Sequence, residues 1–366
     1  LGVSFWGVIA RLAHSPRAMG PGGNGSMHGA SSLPWGGHEM HPYEASYDQL
    51  LAPAKWLDTI TKEDGFQDML WYLACWTVAW VALFYLITCR LRSRMAAWPA
   101  STKTHENDVY WCARNLIGII HAVFISLLTV PTILMLYGAP DDIRFGATGH
   151  LAACVPPENR KLGLEVTIAV QAVALAGLAF TAFTVADVGI SLIHGLASVD
   201  FIIHHVAFIT AGLIIRSHCM LPFNAAVLLS MEASTPFLNY LLLVRHRGAG
   251  FKASVQVNGI VFILLFLIFR LLMNPYGTAV LWLHHDSAMP PTVPRWQADF
   301  LLLAVAAGTA VQFFWFPLIA KTFGAGLRDL LGFGGSRYDG EPAHEGVDSH
   351  QSSEPSGKKQ SGSAAK

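Results

Sequence analysis

Apolar residues are concentrated in seven long stretches, which polar and charged segments separate. Each stretch is close to the roughly 20 residues that a helix needs to cross the hydrocarbon core of a bilayer. The stretches are Met69–Cys89, Cys112–Tyr137, Leu164–His194, Phe201–Ile215, Pro222–Val244, Val257–Met273 and Phe300–Ile319. The pattern predicts an all-α protein, a polytopic bundle of about seven transmembrane helices.

The composition supports the membrane class and excludes one class of partner. Of the 366 residues, 53% are hydrophobic and only 13% are charged, whereas soluble domains carry roughly 25% charged residues. The mean hydropathy is +0.42. Because the formal net charge is zero, we expect no nucleic-acid partner. The expected partners are membrane lipids.

The segments outside the apolar core differ from it in composition. Residues 1–55 are rich in Gly and His, and no acidic residue precedes Glu39. This favours either a disordered arm or an organellar or secretory targeting segment. Residues 326–366 form a polar tail without apolar periodicity, which is typical of disorder. The transmembrane domain is therefore predicted to occupy residues 56–325.

Basic residues flanking the spans predict the orientation of the bundle. One side carries Arg90, Arg92, Arg94, Lys103, Arg245, Arg247, Lys252, Lys321 and Arg328, and the other carries mainly Arg144, Arg160, Lys161, Arg216 and Arg295. Since the more basic side stays inside, the N-terminus is predicted to lie outside and the C-terminus in the cytosol or the matrix.

Ionisable side chains occur inside several of the apolar stretches. Asp187, His194, His204, His205 and Glu232 are set there, although a charged residue at a helix centre costs about 2.5–3.5 kcal/mol. On a helix, Asp187 and His194 fall on one face, and Glu232 and Asn239 fall on another. Two such polar stripes predict one shared site, which His121 on the second span closes.

Chemistry suggests how these groups combine. A buried Asp187 needs a partner, and His194, His204 or His205 can supply it. Adjacent residues on a helix point about 100° apart, so of His204 and His205 one is expected to line the site while the other packs. This also disfavours a two-histidine metal centre, which prefers i, i+4 spacing, and no metal site is predicted. The alternative for Asp187 is a hydrogen-bonded clamp between helices.

A proline follows the carboxylate of the fifth span. Pro236 removes one backbone hydrogen bond and is expected to kink the helix beside Glu232. The kink predicts an open cavity wall. The carbonyl that it frees near Glu232 is expected to accept a hydrogen bond from Ser234 or from a headgroup amine.

The order of these residues resembles a known family. Asp187, His194, the Asp200-x-x-x-His204-His205 motif and the block Glu232-Ala-Ser-Thr-Pro-Phe-Leu-Asn239 are similar to the TLC-domain family of multi-pass membrane proteins. That family includes ceramide synthases, the translocating-chain-associated membrane protein and lipid-homeostasis members. The block from Glu232 most resembles the lipid-homeostasis branch. Met231-Glu232 stands where the synthases carry a His-Asp pair, a departure that weighs against synthase activity.

Three functions are compatible with this resemblance. The first is binding or regulation of membrane lipids, with Asp187, His194, His205, Glu232, Asn239 and His121 as the lipid-binding residues. The second is a structural subunit of a larger, possibly organellar, membrane complex. The third is a ceramide-synthase-like N-acyltransferase that acts on a sphingoid base with acyl-CoA as substrate and no cofactor, and there the resemblance implies His204, His205 and Asp187 as catalytic residues. The endoplasmic reticulum or another endomembrane is the expected location, with the mitochondrial inner membrane as the alternative.

Overall fold

The computed structural model describes residues 66–139, 164–218, 220–289 and 293–330. Within these ranges every regular element is a helix, and no strand occurs. Seven of the described helical segments are long and apolar enough to cross a membrane: Asp68–Arg92, Val109–Tyr137, Glu165–Ile193, Val199–Ser217, Pro222–Val244, Ala249–Leu283 and Arg295–Lys321. They are called spans one to seven below. They confirm the predicted class and the predicted number of spans.

Two of the spans are not continuous α-helices. Span five consists of the α-helix Pro222–Leu229, the 3₁₀ segment Ser230–Ser234 and the α-helix Thr235–Val244. Span six begins with a 3₁₀ turn, and then combines the α-helix Lys252–Leu265, the π-helical segment Phe266–Met273 and the α-helix Asn274–Leu283. The remaining α-helices are Phe66–Arg92, Val109–Tyr137, Leu164–Ile193, Val199–Ser217, His285–Ala288 and Arg295–Leu330.

The chain divides into two compact units, Leu1–Phe323 and Gly324–Lys366. The first unit contains all the spans and the candidate site. Of the second unit, only the last helical residues, up to Leu330, are described, and they overlap the first residues of the predicted tail 326–366. The predicted arm 1–55 and the tail beyond Leu330 lie outside the described residues.

Span three is the centre of the bundle and packs against spans one, two, four and five. Alanines recur along its buried face, namely Ala169, Ala172, Ala176, Ala179, Ala182 and Ala186. Small side chains let neighbouring helix backbones approach closely, which is the usual basis of packing inside a membrane. The approach is close enough for the Trp80 indole of span one to donate a hydrogen bond to the Ala179 carbonyl at 3.2 Å.

The break in span five is where Pro236 was expected to act. Proline has no N–H to bond the carbonyl four residues earlier, which is that of Glu232. The chain tightens into 3₁₀ geometry instead, and the Thr235 N–H bonds the Glu232 carbonyl. The Ser234 hydroxyl donates to Met231 at 3.1 Å. The prediction of a break is confirmed, but the expected free carbonyl beside Glu232 is wrong, because the 3₁₀ turn satisfies it.

The loops after spans one and five meet at the same end of the bundle. The Thr102 N–H donates to the His246 carbonyl at 3.2 Å, and the Arg247 guanidinium donates to the backbone carbonyls of Pro99 and Glu106 at 2.7 and 2.5 Å. Both loops therefore lie on one side of the membrane, as the distribution of basic residues predicted. Which compartment that side faces stays a prediction.

A buried carboxylate holds this junction together. Glu106 is 1% exposed, and it accepts hydrogen bonds from the Ser101 hydroxyl at 2.6 Å and from His246 Nδ1 at 2.7 Å. Burial by itself would raise the pKa of Glu106. The two hydrogen bonds and the charges of His246 and Arg245 outweigh burial, so the pKa lies below its ordinary value. We refer to Ser101, Glu106, His246 and Arg247 as the loop clasp.

Candidate functional site

A cavity of about 340 Å³ lies between spans two, three, four and five. Its polar lining residues are Arg114, Asn115, His121, Thr184, Asp187, His204, His205, Glu232, Thr235 and Asn239, and its apolar lining residues are Trp111, Gly118, Phe180, Phe183, Phe208 and Leu242. Five of the six predicted lipid-binding residues and all three predicted catalytic residues are therefore brought to one cavity.

The cavity lies in the half of the bundle that carries the loop clasp. Asp187 is six residues from the end of its helix at Ile193, and His205 is six residues from the start of its helix at Val199. At 1.5 Å per residue, both lie about 9 Å below the helix ends. The polar groups therefore lie inside the apolar spans rather than at the ends of the helices.

Asp187 is neutralised mainly by an arginine. The Arg114 guanidinium donates from Nε to Asp187 Oδ1 at 2.7 Å and from Nη2 to Oδ2 at 2.9 Å. This bidentate geometry is the strongest arrangement for such a pair, and Asp187 is only 6% exposed. The sequence interpretation gave this role to a histidine and did not assign Arg114 to it.

The predicted histidine partner is also present, and it is His205. Its Nε2 lies 3.1 Å from Asp187 Oδ2, and its Nδ1 lies 2.9 Å from the Phe201 carbonyl. Both ring nitrogens of His205 therefore have a partner within the protein. His205 is therefore placed to orient Asp187.

His204 differs from its neighbour in having free ring nitrogens. It lines the same cavity, packs edge-on against Phe208 with ring centroids 4.5 Å apart, and makes no hydrogen bond within the described part of the chain. The expectation that only one of the two histidines lines the site is wrong, because the cavity is wide enough for both. Their environments nevertheless give them different roles. His205 orients Asp187, and His204 is free to contact an occupant of the cavity.

His121 lies at the deep end of the cavity. Its ring stacks on Phe183 with centroids 3.9 Å apart and is 2% exposed. Its Nε2 has no hydrogen-bond partner among the described residues. A buried polar atom without a partner is rare in folded proteins, and at this place it is a group that an occupant of the cavity can satisfy.

The other wall of the cavity comes from span five. Glu232, Thr235 and Asn239 line it, as the predicted polar stripe requires. Asn239 packs directly on span two, because a Cβ added at Gly118 would lie 2.5 Å from its Nδ2. The close approach of spans two and five at this point therefore depends on glycine.

His194 is not brought into the cavity. It follows the end of span three, stacks on Tyr110 with ring centroids 3.8 Å apart, and has its Nε2 3.4 Å from the Tyr85 hydroxyl. It shares a helix face with Asp187, but seven residues correspond to about 10 Å along the helix axis. The structure thus places His194 beyond the cavity, beside the aromatic rings of spans one and two.

Sequence interpretation also missed Arg270 of span six. Its guanidinium donates to Ser234 Oγ at 2.9 Å and to Thr235 Oγ1 at 3.1 Å, directly behind the cavity wall. The signal was available, because an arginine inside the apolar run Phe266–Met273 is as costly as the aspartate and the glutamate that were selected. In the described ranges, no group of three His, Cys, Asp or Glu side chains could hold a metal ion.

The fold and the cavity define a multi-pass membrane protein with a polar site inside its helix bundle. The family model of the TLC domain matches residues 62–321, which is more than half of the chain, and the protein belongs to this family. No curated protein and no solved structure matches the chain. The family model does not distinguish the branches of the family, so the resemblance to the lipid-homeostasis branch stays a prediction.

Proposed function

We propose that this TLC-domain protein binds a membrane amphiphile, with the polar headgroup of the amphiphile held in the cavity between spans two and five. The observation that supports this most directly is a cavity of about 340 Å³ with ten polar lining residues between apolar spans. Its volume is at the lower end of the range of about 300–1,000 Å³ for small-molecule sites. A lipid tail has no groups that could hydrogen-bond the polar lining of this cavity, whereas a headgroup has them. The cavity therefore suits a headgroup.

The charges of the cavity favour recognition by hydrogen bonds. Asp187 is fully engaged by Arg114 and His205, so it serves as a fixed support for the wall. The Nε2 of His121 has no hydrogen-bond partner in the described structure, and His204 contacts its neighbours there only through its ring. An occupant that supplies both donors and acceptors would satisfy them, as the polar headgroups of lipids do.

The position of the cavity indicates the leaflet from which the amphiphile comes. The cavity lies in the half of the bundle that carries the loop clasp, and the predicted orientation puts that half in the cytosolic or matrix leaflet. An endomembrane remains the expected location, with the mitochondrial inner membrane as the alternative.

The test is mass spectrometry of the lipids that remain with the protein after purification from native membranes in a mild detergent. We expect one lipid class in stoichiometric amount, and we expect Asp187→Asn, His205→Ala and Glu232→Gln to lose it while remaining folded. Thr309→Val is the matched control, because Thr309 bonds Thr278 at 2.7 Å on span six and does not line the cavity. Lipid retained by all three variants would contradict the proposal. A fixed set of co-purifying polypeptides would support the subunit alternative.

The free ring of His204 favours one further candidate, an acyl-CoA-dependent acyltransferase. In that reaction a ring nitrogen takes the proton of an amine or hydroxyl as the latter attacks the thioester carbonyl. The new C–N or C–O bond forms, the C–S bond breaks, and the sulfur of coenzyme A leaves with the electron pair. Purified protein with a radiolabelled acyl-CoA and a sphingoid base should then give product, and His204→Ala should abolish it. Product formation no higher than in a protein-free control would exclude this activity.

A further inference from the structure

Arg114 uses only part of its hydrogen-bonding capacity on Asp187. A guanidinium carries five N–H groups in one plane, and the ion pair engages two of them, one on Nε and one on Nη2. The edge between Nη1 and Nη2 is left, and it presents one N–H group from each nitrogen in parallel. Within the described part of the chain this edge has no hydrogen-bond acceptor. We call it the free edge of Arg114.

The free edge is accessible from the cavity. Arg114 lines the cavity, and its side chain is 25% exposed, whereas that of Asp187 is 7% exposed. Among the described residues Nη1 has no partner and yet it is not buried, unlike the Nε2 of His121. The Phe201 ring covers one face of the guanidinium, with its centroid 4.5 Å from Cζ. An occupant of the cavity can therefore reach the edge, while Phe201 blocks one face.

Asn239 supplies a second donor at the same depth. Arg114 is five residues from the start of span two at Val109, and Asn239 is five residues from the end of span five at Val244, which corresponds to about 7–8 Å along each helix. Asn239 lines the cavity and makes no hydrogen bond within the described residues. Its amide nitrogen packs on Gly118, one helical turn from Arg114. The two side chains therefore present donors to the same part of the cavity.

We propose that Arg114 contacts the headgroup directly, and that its free edge, with the Asn239 amide beside it, binds an acceptor oxygen of the amphiphile. Asp187 holds the opposite edge of the guanidinium, so little conformational freedom is lost when the ligand binds. The parallel N–H groups suit a neutral carbonyl oxygen as well as an anionic oxygen. Arg114 then has two partners at once, Asp187 and the ligand. This inference rests on the proposed function and specifies the chemistry of its ligand.

Three probes with the same tail test this contact. Methyl oleate carries a neutral carbonyl oxygen, oleic acid carries a carboxylate at neutral pH, and oleyl methyl ether has no carbonyl. The dissociation constant of each radiolabelled probe is measured with the purified, delipidated protein in detergent. We expect the ester or the acid to bind at least about tenfold more tightly than the ether, which cannot replace the hydrogen bond to a charged group. Tight binding of the ester shows that a neutral carbonyl suffices, whereas tight binding of the acid alone identifies an anionic headgroup.

Substitutions distinguish contact with the ligand from support of the cavity wall. Arg114→Lys keeps a positive charge beside Asp187 but has no second edge with parallel N–H groups, so it should remain folded and lose most of the preference over the ether. Arg114→Met/Asp187→Leu removes the whole ion pair and should lose the preference as well. Asn239→Leu removes the second donor and should reduce the preference by about threefold. Thr309→Val removes a hydroxyl outside the cavity that bonds Thr278, and it should leave the preference unchanged.

The outcomes separate this inference from the proposed function. Equal binding of the three probes by the unaltered protein would overturn the contact with Arg114 while leaving an amphiphile site in place. A preference that survives in folded Arg114→Lys would overturn it as well, and so would one that survives in Arg114→Met/Asp187→Leu if the lysine variant does not fold. No binding of any probe would overturn both proposals.

Discussion

Arg114 and Asp187 form an ion pair between spans two and three, and this pair fixes the geometry of the cavity wall. Buried pairs of this kind contribute little net stability, because desolvation offsets the attraction. Removing only one partner is costly, however, because it leaves the other charge unpaired in hydrocarbon. The pair therefore specifies how spans two and three align more than it stabilises the bundle.

Arg114→Met should lower the free energy of unfolding by about 3–5 kcal/mol, because Asp187 then keeps only His205 as a partner. Thermal unfolding in detergent measures the effect. The double variant Arg114→Met/Asp187→Leu removes both charges and should recover a large part of the loss. A double variant that is as unstable as Arg114→Met would show that the charge left on Asp187 is not the cause.

Gly118→Ala should displace Asn239, because the added Cβ would lie 2.5 Å from the Asn239 amide nitrogen. Overpacking of this kind costs about 1–3 kcal/mol, and the altered wall should also weaken lipid retention. Gly177→Ala is the matched control, since a Cβ at Gly177 meets nothing within 4 Å. Unchanged stability and unchanged lipid retention in Gly118→Ala would contradict the contact between spans two and five.

The cost of burying charge identified Asp187, His204, His205 and Glu232 from the sequence, and the structure brings all four to the cavity. The same argument applied to Arg270, but basic residues were interpreted as markers of topology and Arg270 was not considered. Arg114, inside the apolar run of span two, was not considered either. His194 was included because it shares a helix face with Asp187, although face alone does not fix depth along the axis. Partners on other helices could not be derived, since helical phase contains no information about which helices touch.

The irregular segments of spans five and six lie against each other. The 3₁₀ segment Ser230–Ser234 follows from Pro236 and was predictable as a break. The π-helical segment Phe266–Met273 contains neither proline nor glycine, but Pro275 follows it and has no N–H to bond the carbonyl of Leu271, which lies in the segment. π-helical turns are often found at functional sites, and this one carries Arg270 to Ser234 and Thr235.

The loop clasp should weaken in acid. The folded-state pKa of Glu106 lies below its ordinary value of 4.5, so the unfolded chain binds protons at a higher pH than the folded one. The contribution of Glu106 to stability is thus complete above about pH 5 and is lost as the pH falls through the lower folded pKa. The unfolding temperature should drop as the pH is lowered from about 5 to below the ordinary pKa of 4.5.

Glu106→Gln is the control for this pH dependence. The amide cannot titrate, so its unfolding temperature should change less over the same interval, while the neighbouring groups Arg245, His246 and Arg247 are retained. Equal slopes for the two proteins would mean that other carboxylates dominate the acid response.

The number of spans and the class of the whole molecule could be predicted from hydropathy, because the bilayer imposes the length of each apolar run. The arrangement of the spans could not, since the tails of lipids are as apolar as leucine and leave no hydrophobic signal for neighbours. The common side of the loops after spans one and five was predicted by charge, and the bond from Thr102 to His246 agrees with it.

Cysteine labelling tests the predicted orientation. In a variant whose five native cysteines are replaced, Arg94→Cys and Lys103→Cys should react with a membrane-impermeant maleimide only from the cytosolic or matrix side. His284→Cys, in the segment after span six, should react only from the opposite side. Labelling of all three from the same side would contradict the seven-span topology.

Arg114 and Arg270 enter the membrane in a different order relative to the carboxylates Asp187 and Glu232, because the ribosome delivers the spans one by one. Span three reaches the membrane with Asp187 after Arg114 has arrived on span two, whereas span five arrives with Glu232 before Arg270 of span six has been synthesised. We predict that nascent chains ending at Gly248 integrate span five poorly into microsomes, and that chains ending after Leu283 integrate it fully. Glu232→Gln should remove the difference, and equal integration of the unaltered truncated chains would refute it. Span five would then enter the bilayer only after span six has supplied Arg270.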